Sequence, residues 1–138
     1  MKAYSLKKRQ PIHIDRSKAC PFLLKVYPKY KGEHSLKQFE INDKELLADE
    51  IHLYTWSDAS LRELTDLLKE FVPEAKQKDS ILEYYVVYPN PHGKGYLKKP
   101  AGTVFAIGKG KDDLLTIHEI GMRIGDRMDI NIKSKNDQ

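Results

Sequence analysis

Hydrophobic and polar positions alternate with a period of two in several short runs of the chain, a pattern typical of half-buried β-strands. The first run spans residues 21–27 and puts Phe22, Leu24 and Val26 on one face. Residues 50–55 and 124–132 alternate in the same way, whereas residues 81–88 are apolar on both faces. We therefore predict four strands, with the one at 81–88 in the middle of a sheet. Pro28 is expected to end the first strand, and residues 96–107 to form short strand-like pieces around Gly102.

One segment changes to the helical period. Leucines at 61, 64 and 68 and a phenylalanine at 71 recur along one stripe, and charged residues occupy the other side. Ser60 and Glu63 form a capping-box pattern, in which each side chain accepts a hydrogen bond from the backbone N–H of the other residue. A helix is predicted from residue 60 to about residue 72, because Pro73 disfavours helical geometry in the residue before it. The polar stretch after the first strand, through Asn42 and Asp43, is interpreted as a loop or an irregular hairpin arm, and residues 43–48 as one helical turn.

A single helix with one apolar stripe can cover only one face of a small sheet. The predicted fold class is therefore α+β: a ubiquitin-like β-grasp, with a mixed sheet, one main amphipathic helix packed on one face, and the outer face left free. The predicted boundaries are a flexible basic arm at 1–18, a ubiquitin-like domain at 19–133 and a polar tail at 134–138.

Composition narrows the function classes. The chain has 138 residues, 40% hydrophobic and 32% charged, as expected for one soluble domain. It has no apolar run of the roughly 20 residues that a membrane helix needs, and its first residues lack the apolar middle of a signal peptide. With one cysteine, these features predict a protein that stays inside the cell. Residues 1–31 hold nine basic residues and one acidic residue, whereas 32–87 hold six basic and thirteen acidic.

Catalytic and metal-binding patterns are not found in the sequence. It contains neither a G-x-S-x-G elbow nor an H-E-x-x-H pair, and its five histidines are scattered without metal-ligand spacing. The loop at 108–113 is interpreted as a turn, and its aspartates, like Asp126 and Asp129, as caps of backbone N–H groups. Cys20 is interpreted as a small buried thiol. We predict no enzyme activity, no cofactor and no metal.

The phase of the strands places apolar residues on the outer face of the sheet. Leu23, Tyr85 and Val87 fall there, and together they would make the kind of apolar patch that marks a protein interface. The alternative is that an irregular segment folds over them. The predicted partner-binding residues, taken from strand phase, are Leu23, Lys25, Tyr27, Tyr85, Val87 and Tyr96.

Trp56, the only tryptophan, lies between the second strand and the predicted helix. We predict that its ring packs at the mouth of the helix–sheet core and that its indole N–H has an acceptor there. We predict that Trp56→Ala costs about 3–5 kcal/mol, as for a buried large-to-small change.

Several segments resemble one known family. They are Ile14-Asp15-Arg16, residues 20–27, residues 54–64 (YTWSDASLREL), Pro73-Glu74-Ala75-Lys76, Gly95-Tyr96, residues 108–113 and residues 124–130. In order and spacing they resemble the Sin-three-associated polypeptides of eighteen kilodaltons, across about residues 12–132. Residues 42–49 and 89–94 depart from the family pattern.

This resemblance implies a ubiquitin-like β-grasp and a non-enzymatic nuclear adaptor. It implies association with Sin-type histone deacetylase corepressor complexes. It also implies assembly with an Acinus- or Pinin-like protein and a serine-rich RNA-binding protein, in splicing complexes attached to the exon junction complex. Nucleic acid would then be contacted only indirectly, with no membrane partner.

Two other functions remain open at this stage. The lysines at 94, 98 and 99 flank Tyr96 and could contact RNA directly. A conjugated ubiquitin-like modifier would need a C-terminal Gly-Gly, whereas the sequence ends with Asp137 and Gln138.

Overall fold

The protein is described by a computed structural model over residues 12–135. Its strands are β1 (Phe22–Tyr30), β2 (Ile51–Thr55), β3 (Ser80–Pro89), β4 (Tyr96–Phe105) and β5 (Arg127–Ser134). Its α-helices are α1 (Leu36–Ile41), α2 (Lys44–Asp49), α3 (Leu61–Leu68) and α4 (Ile117–Ile120), and a 3-10 helix spans Pro73–Lys76.

The five strands form one mixed sheet in the order β2-β1-β5-β3-β4. The central pair, β1 and β5, is parallel, whereas the other neighbours are antiparallel. The main helix, α3, follows β2 and packs on one face of the sheet. This is the predicted ubiquitin-like β-grasp, and β3 lies inside the sheet as its two apolar faces indicate.

The main core lies between α3 and the inner face of the sheet. The buried leucines of α3, Leu61, Leu64 and Leu68, pack there against alternate residues of the strands. The predicted inward residues of the last strand, Met128, Ile130 and Ile132, belong to the same core. The period-two and helical patterns therefore assigned the inner face correctly.

The predicted helix is too long at its C-terminus. It ends at Leu68 with Lys69 as its C-cap, and Phe71, expected on the apolar stripe, lies beyond the helix with 58% of its surface exposed. At the N-terminus, the Ser60 hydroxyl accepts from the Glu63 N–H at 3.1 Å, as predicted. The Glu63 carboxylate instead accepts hydrogen bonds from Arg16.

The prediction that Pro28 ends the first strand is wrong, because β1 continues to Tyr30. β2 pairs with β1 only as far as Val26, so residues 27–30 have β5 on one side and, within residues 12–135, no strand on the other. The Lys31 N–H donates to the Ile132 carbonyl of β5. Since backbone direction alternates along a strand, the nitrogen of Pro28 faces the open side, where its missing N–H costs no ladder bond.

β4 is one continuous strand and not several short pieces. Its register with β3 shifts between Tyr84 and Tyr85, opposite residues 100–102. Such a bulge accommodates Pro100 and Gly102 within one strand, whereas the sequence alone predicts separate pieces around Gly102.

The expectation of a free outer face is wrong for part of the sheet. Two short helices, α1 and α2, fold over that face and bury a second cluster made of Tyr27, Phe39, Leu46 and Val87. The turn predicted at 43–48 is present as α2, but α1 was not predicted. Cys20, expected to be buried, is exposed.

Within residues 12–135, no helix has the length and apolar character needed to cross a membrane.

Candidate protein interface

Part of the outer face stays open as a groove of about 440 Å³, here called the outer groove. Its lining combines residues of β1, the start of β4, the α1 C-cap and the turn before β5: Leu23, Lys25, Asn42, Tyr96, Ile124, Gly125, Asp126 and Arg127. Three of the six predicted partner-binding residues, Leu23, Lys25 and Tyr96, therefore come together here.

The turn before β5 supplies the most exposed apolar residue of the groove. Ile124 is 73% exposed. Gly125 has a φ of +102°, a conformation that glycine adopts without strain. The Asp126 carboxylate then accepts from the Arg123 N–H at 2.9 Å, as predicted for a capping aspartate. The turn is thus fixed by its backbone, and it leaves Ile124 to solvent.

Arg127 connects the groove to the second cluster. Its guanidinium lies 4.8 Å from the ring centroid of Tyr96, 5.0 Å from that of Phe39 and 5.8 Å from that of Tyr27. It also donates to the Asn42 side chain at 3.2 Å. A cation stacked among three rings is held in one orientation, so Arg127 forms a fixed wall of the groove.

Two of the predicted partner-binding residues are buried. Tyr27 is 0% exposed and Val87 1% exposed, because α1 and α2 cover the sheet at these positions. The Tyr27 hydroxyl donates to Glu50 at 2.6 Å. Burial and this bond raise the pKa of Tyr27 to about 12. Of the predicted apolar patch, Val87 is therefore covered by another segment, as the alternative stated, and the same segment buries Tyr27.

The sixth predicted residue, Tyr85, lies apart from the outer groove. It is half-buried, and the Lys98 ammonium lies 5.5 Å from the centroid of its ring. Burial raises the pKa of its hydroxyl.

A buried polar network attaches the segment that contains α1 and α2 to the sheet. His34, just before α1, has a fully buried side chain between two carboxylates. Its Nδ1 lies 2.7 Å from Asp129 of β5, and its Nε2 lies 2.8 Å from Asp49 of α2. Lys98 of β4 donates to Asp129 at 2.7 Å and to Glu33 at 3.0 Å. Four segments of the chain therefore meet at one cluster of charges.

The charge state of His34 follows from this geometry. Carboxylate oxygens accept hydrogen bonds, so a ring with a carboxylate at each nitrogen donates from both and carries the proton. Burial alone would lower the pKa of His34, but the bonds to Asp129 and Asp49 outweigh it and raise the pKa. Likewise, burial opposes the charge of Lys98, and the bond to Asp129 raises its pKa.

Trp56 is only half-buried, and the residues that pack against the main core do not include it. Its indole N–H donates to the Ala19 carbonyl at 2.8 Å, which confirms that it has an acceptor. The Arg16 guanidinium lies 4.8 Å from its ring centroid and pairs with Asp58 and Glu63, each at 2.7 Å. Trp56 thus holds the segment before β1, including part of the predicted 1–18 arm. Residues 1–11 and 136–138 lie outside the described residues.

Sequence reasoning missed three important residues: His34, Asp129 and Arg127. Asp129 was expected to cap a turn, but it lies within β5 and is 0% exposed. One signal was available, since Ser35 and Gln38 form a capping-box pattern that marks the start of α1. Nothing local to His34 indicates burial. Among the described residues, no group of three or more metal-ligating side chains could hold an ion.

Fold and groove together define a ubiquitin-like β-grasp domain that presents an open, partly apolar surface on the outer face of its sheet. The chain belongs to the Sin3 associated polypeptide p18 (SAP18) family, which matches residues 13–132. The predicted family resemblance is thereby confirmed.

Several proteins of other organisms share much of the sequence. The chain is 42% identical over 125 residues to a protein of Arabidopsis thaliana, with 89% of this chain and 81% of the relative covered. It is 37% identical over 131 residues to a protein of Homo sapiens, covering 95% of this chain and 85% of the relative. A protein of Drosophila melanogaster is 34% identical over 129 residues, with 94% and 85% covered. Each of the three relatives is named histone deacetylase complex subunit SAP18.

Proposed function

We propose that this chain is a non-enzymatic adaptor subunit of a nuclear histone deacetylase corepressor complex of the Sin type. The names of its relatives support membership of such a complex. The outer groove carries the proposal, because it combines exposed Ile124 with Leu23, Tyr96 and a fixed arginine. Apolar side chains around a rigid cation are common at protein interfaces.

The proposal extends to a second set of complexes. The family resemblance supports an assembly in mRNA splicing, attached to the exon junction complex. In it, the adaptor would bind an Acinus- or Pinin-like protein and a serine-rich RNA-binding protein. A domain with a preformed groove can serve both assemblies if each partner presents a short apolar segment to it.

Direct RNA binding receives less support. Of the three lysines that flank Tyr96, Lys98 is bonded to Glu33 and Asp129, and Lys99 is 7% exposed with its ammonium 5.4 Å from the ring centroid of Tyr88. Lys94 remains exposed. Nucleic acid would therefore reach these complexes through the other subunits. A steep salt-dependent affinity for single-stranded RNA in a titration of the isolated chain would contradict this.

Affinity purification tests the adaptor function and the groove together. The tagged full chain, Ile124→Asp and the matched control Leu114→Asp are each purified from nuclear extract and analysed by mass spectrometry. Leu114 is 81% exposed and lies outside the groove. We expect wild type and Leu114→Asp to recover histone deacetylase and splicing-complex proteins, and Ile124→Asp to lose them.

Two results would count against the proposal. If wild type recovers neither set of complexes, the adaptor function is wrong. If Ile124→Asp recovers as much as Leu114→Asp, partners bind elsewhere on the domain.

A further inference from the structure

The outer groove holds two positive side chains in one row of the sheet. Lys25 of β1 and Arg127 of β5 immediately precede Val26 and Met128, which are paired across the parallel β1–β5 ladder. Adjacent strands lie about 4.8 Å apart, and side chains at neighbouring positions share a face of the sheet. Both residues line the groove. Like charges at neighbouring positions of two strands destabilise the sheet unless an opposite charge lies between them.

The described residues supply no such charge. Within residues 12–135, neither Lys25 nor Arg127 forms an ion pair with a carboxylate. The hydrogen bonds of the Arg127 guanidinium go to neutral acceptors, the Asn42 side chain at 3.2 Å and the Phe39 carbonyl at 3.4 Å. Its three neighbouring rings are neutral as well. Both cations therefore keep their capacity to bind an anion.

Two carboxylates near this row already have hydrogen-bond donors. Asp126, which lines the groove, accepts from the Arg123 N–H at 2.9 Å. Glu50, just before β2, accepts from the Tyr27 hydroxyl at 2.6 Å and lies 3.0 Å from Nε2 of His52. These bonds hold the two carboxylates at other groups, so an anion for the row has to come from a bound molecule.

Apolar side chains adjoin the two cations. Leu23 lies opposite Tyr54 in the antiparallel β1–β2 ladder, so both side chains are on the outer face. Tyr54 is 65% exposed, and Ile124, in the turn before β5, is 73% exposed. Because β1 lies between β2 and β5, this apolar surface extends to both sides of Leu23. Exposed apolar side chains that lie close together are typical of a protein interface.

We propose that the outer groove binds a short segment of a partner protein in which aspartate or glutamate is next to a large apolar residue. The carboxylate lies between Lys25 and Arg127 and pairs with both. The apolar side chain packs on Leu23, Tyr54 and Ile124. Selection of an acidic segment rests on the adaptor function proposed above. A carboxylate held by a fixed guanidinium favours acidic segments over neutral and basic ones.

The test uses the full chain and labelled synthetic peptides. The probe is a short peptide in which leucine and aspartate alternate, and two control peptides have asparagine or lysine in place of aspartate. Fluorescence anisotropy should show saturable binding of the probe. The asparagine peptide should bind about fivefold more weakly or worse, the equivalent of about 1 kcal/mol, and the lysine peptide more weakly still. Absence of saturable probe binding, or equal affinity for the asparagine peptide, overturns the proposal.

Charge reversal on the protein locates the bound carboxylate. Lys25→Glu removes no hydrogen bond or ion pair among the described residues, so the variant should fold. It should weaken probe binding by about tenfold and raise the affinity for the lysine peptide. Lys109→Glu is the matched control, because it changes the net charge equally and Lys109 is exposed outside the groove. It should bind both peptides as wild type does. Equal effects of the two variants overturn the proposal, since they indicate a general attraction between opposite charges.

Purification from nuclear extract separates this proposal from the adaptor function. Tagged wild type, Lys25→Glu and Lys109→Glu are compared, and loss of the complexes in Lys25→Glu alone supports the acidic segment. If Lys25→Glu recovers as much as wild type, the adaptor function stands and the acidic segment is wrong. If wild type recovers no complex while the peptides bind in the expected order, the adaptor function is wrong and the groove still selects acidic segments.

Discussion

Trp56 acts through two contacts made by one side chain. Its indole N–H donates to the Ala19 carbonyl, and the face of its ring lies against Arg16, whose charge is matched by Asp58 and Glu63. These bonds raise the pKa of Arg16 further above its ordinary value. The segment before β1 is therefore attached to the start of α3.

Trp56→Ala should lower the free energy of unfolding by about 2 kcal/mol, less than for a fully buried ring, because the side chain is only half-buried. Urea unfolding measures this loss. Hydrogen exchange should also show that amides at residues 14–19 lose protection. Amides there that keep wild-type protection would contradict the attachment.

Thr55, in contrast to Trp56, has a polar group that makes no hydrogen bond to the described residues. Its hydroxyl is buried and has no hydrogen-bond partner among the described residues. Thr55→Val keeps the shape and removes the unpaired group, so we expect a gain of about 1 kcal/mol in the free energy of unfolding.

The matched control is Thr65→Val, because the Thr65 hydroxyl donates to the Leu61 carbonyl and lies 2.6 Å from the Tyr84 hydroxyl. That substitution should destabilise the protein. Thermal unfolding measures both variants, and a melting temperature that falls in Thr55→Val would contradict the interpretation.

At the scale of elements, α1 and α2 decide which part of the outer face is free. α1 has six residues, too few to be stable alone, so its caps and its contacts with the sheet hold it in place. The Ser35 hydroxyl accepts from the Gln38 backbone N–H at 3.3 Å, and the side-chain Oε1 of Gln38 accepts from the Ser35 backbone N–H at 2.8 Å.

Ser35→Ala should cost about 1 kcal/mol in the free energy of unfolding and expose the second cluster more often. Urea unfolding and hydrogen exchange at Phe39 measure the two effects. Ser35→Asn keeps a capping oxygen and should stay within a few tenths of a kcal/mol of wild type. Equal losses in both variants would show that the cap is not responsible.

Elements differ in how far sequence can predict them. α3 and the inner faces of the strands follow from hydrophobic period, because burial against one core repeats along the element. α1 does not, since six residues carry too little periodicity, and only its capping box marks it. Leu23, Lys25 and Tyr96 could be assigned to the outer face from strand phase. The burial of Tyr27 and Val87 could not be predicted in this way. It depends on how the separate segment that forms α1 and α2 folds, and the phase of a strand carries no information about other segments.

At the scale of the whole molecule, the two layers are attached to the sheet by different chemistry. α3 is held by apolar burial, whereas the outer layer depends also on the charges around His34. Three charged residues from different elements surround His34: Asp129 of β5, Asp49 of α2 and Lys98 of β4. The stability of the outer layer should therefore depend on pH.

The sign of this dependence follows from the raised pKa of His34. Below about pH 6.5, the ordinary histidine value, the ring is protonated in both folded and unfolded chains, and the stabilising contribution is complete. As the pH rises through the higher folded-state pKa, the contribution is lost. Urea unfolding from about pH 6 to 9 should show a falling free energy of unfolding, and His34→Gln should flatten the slope. A rising or flat wild-type profile would contradict the assignment.

The single proline of β1 has a further consequence, for association between copies of the chain. Among the described residues, 27–30 pair with no strand on one side, and an unpaired sheet edge is the kind of site at which identical domains can add strand to strand and grow into fibrils. Tyr27 and Pro28 are buried, so only the end of this stretch is exposed. Pro28 interrupts the row of donors on that side, so a ladder between copies cannot run along it. The residue that misled the strand prediction therefore also shortens the edge along which two copies of the chain could pair.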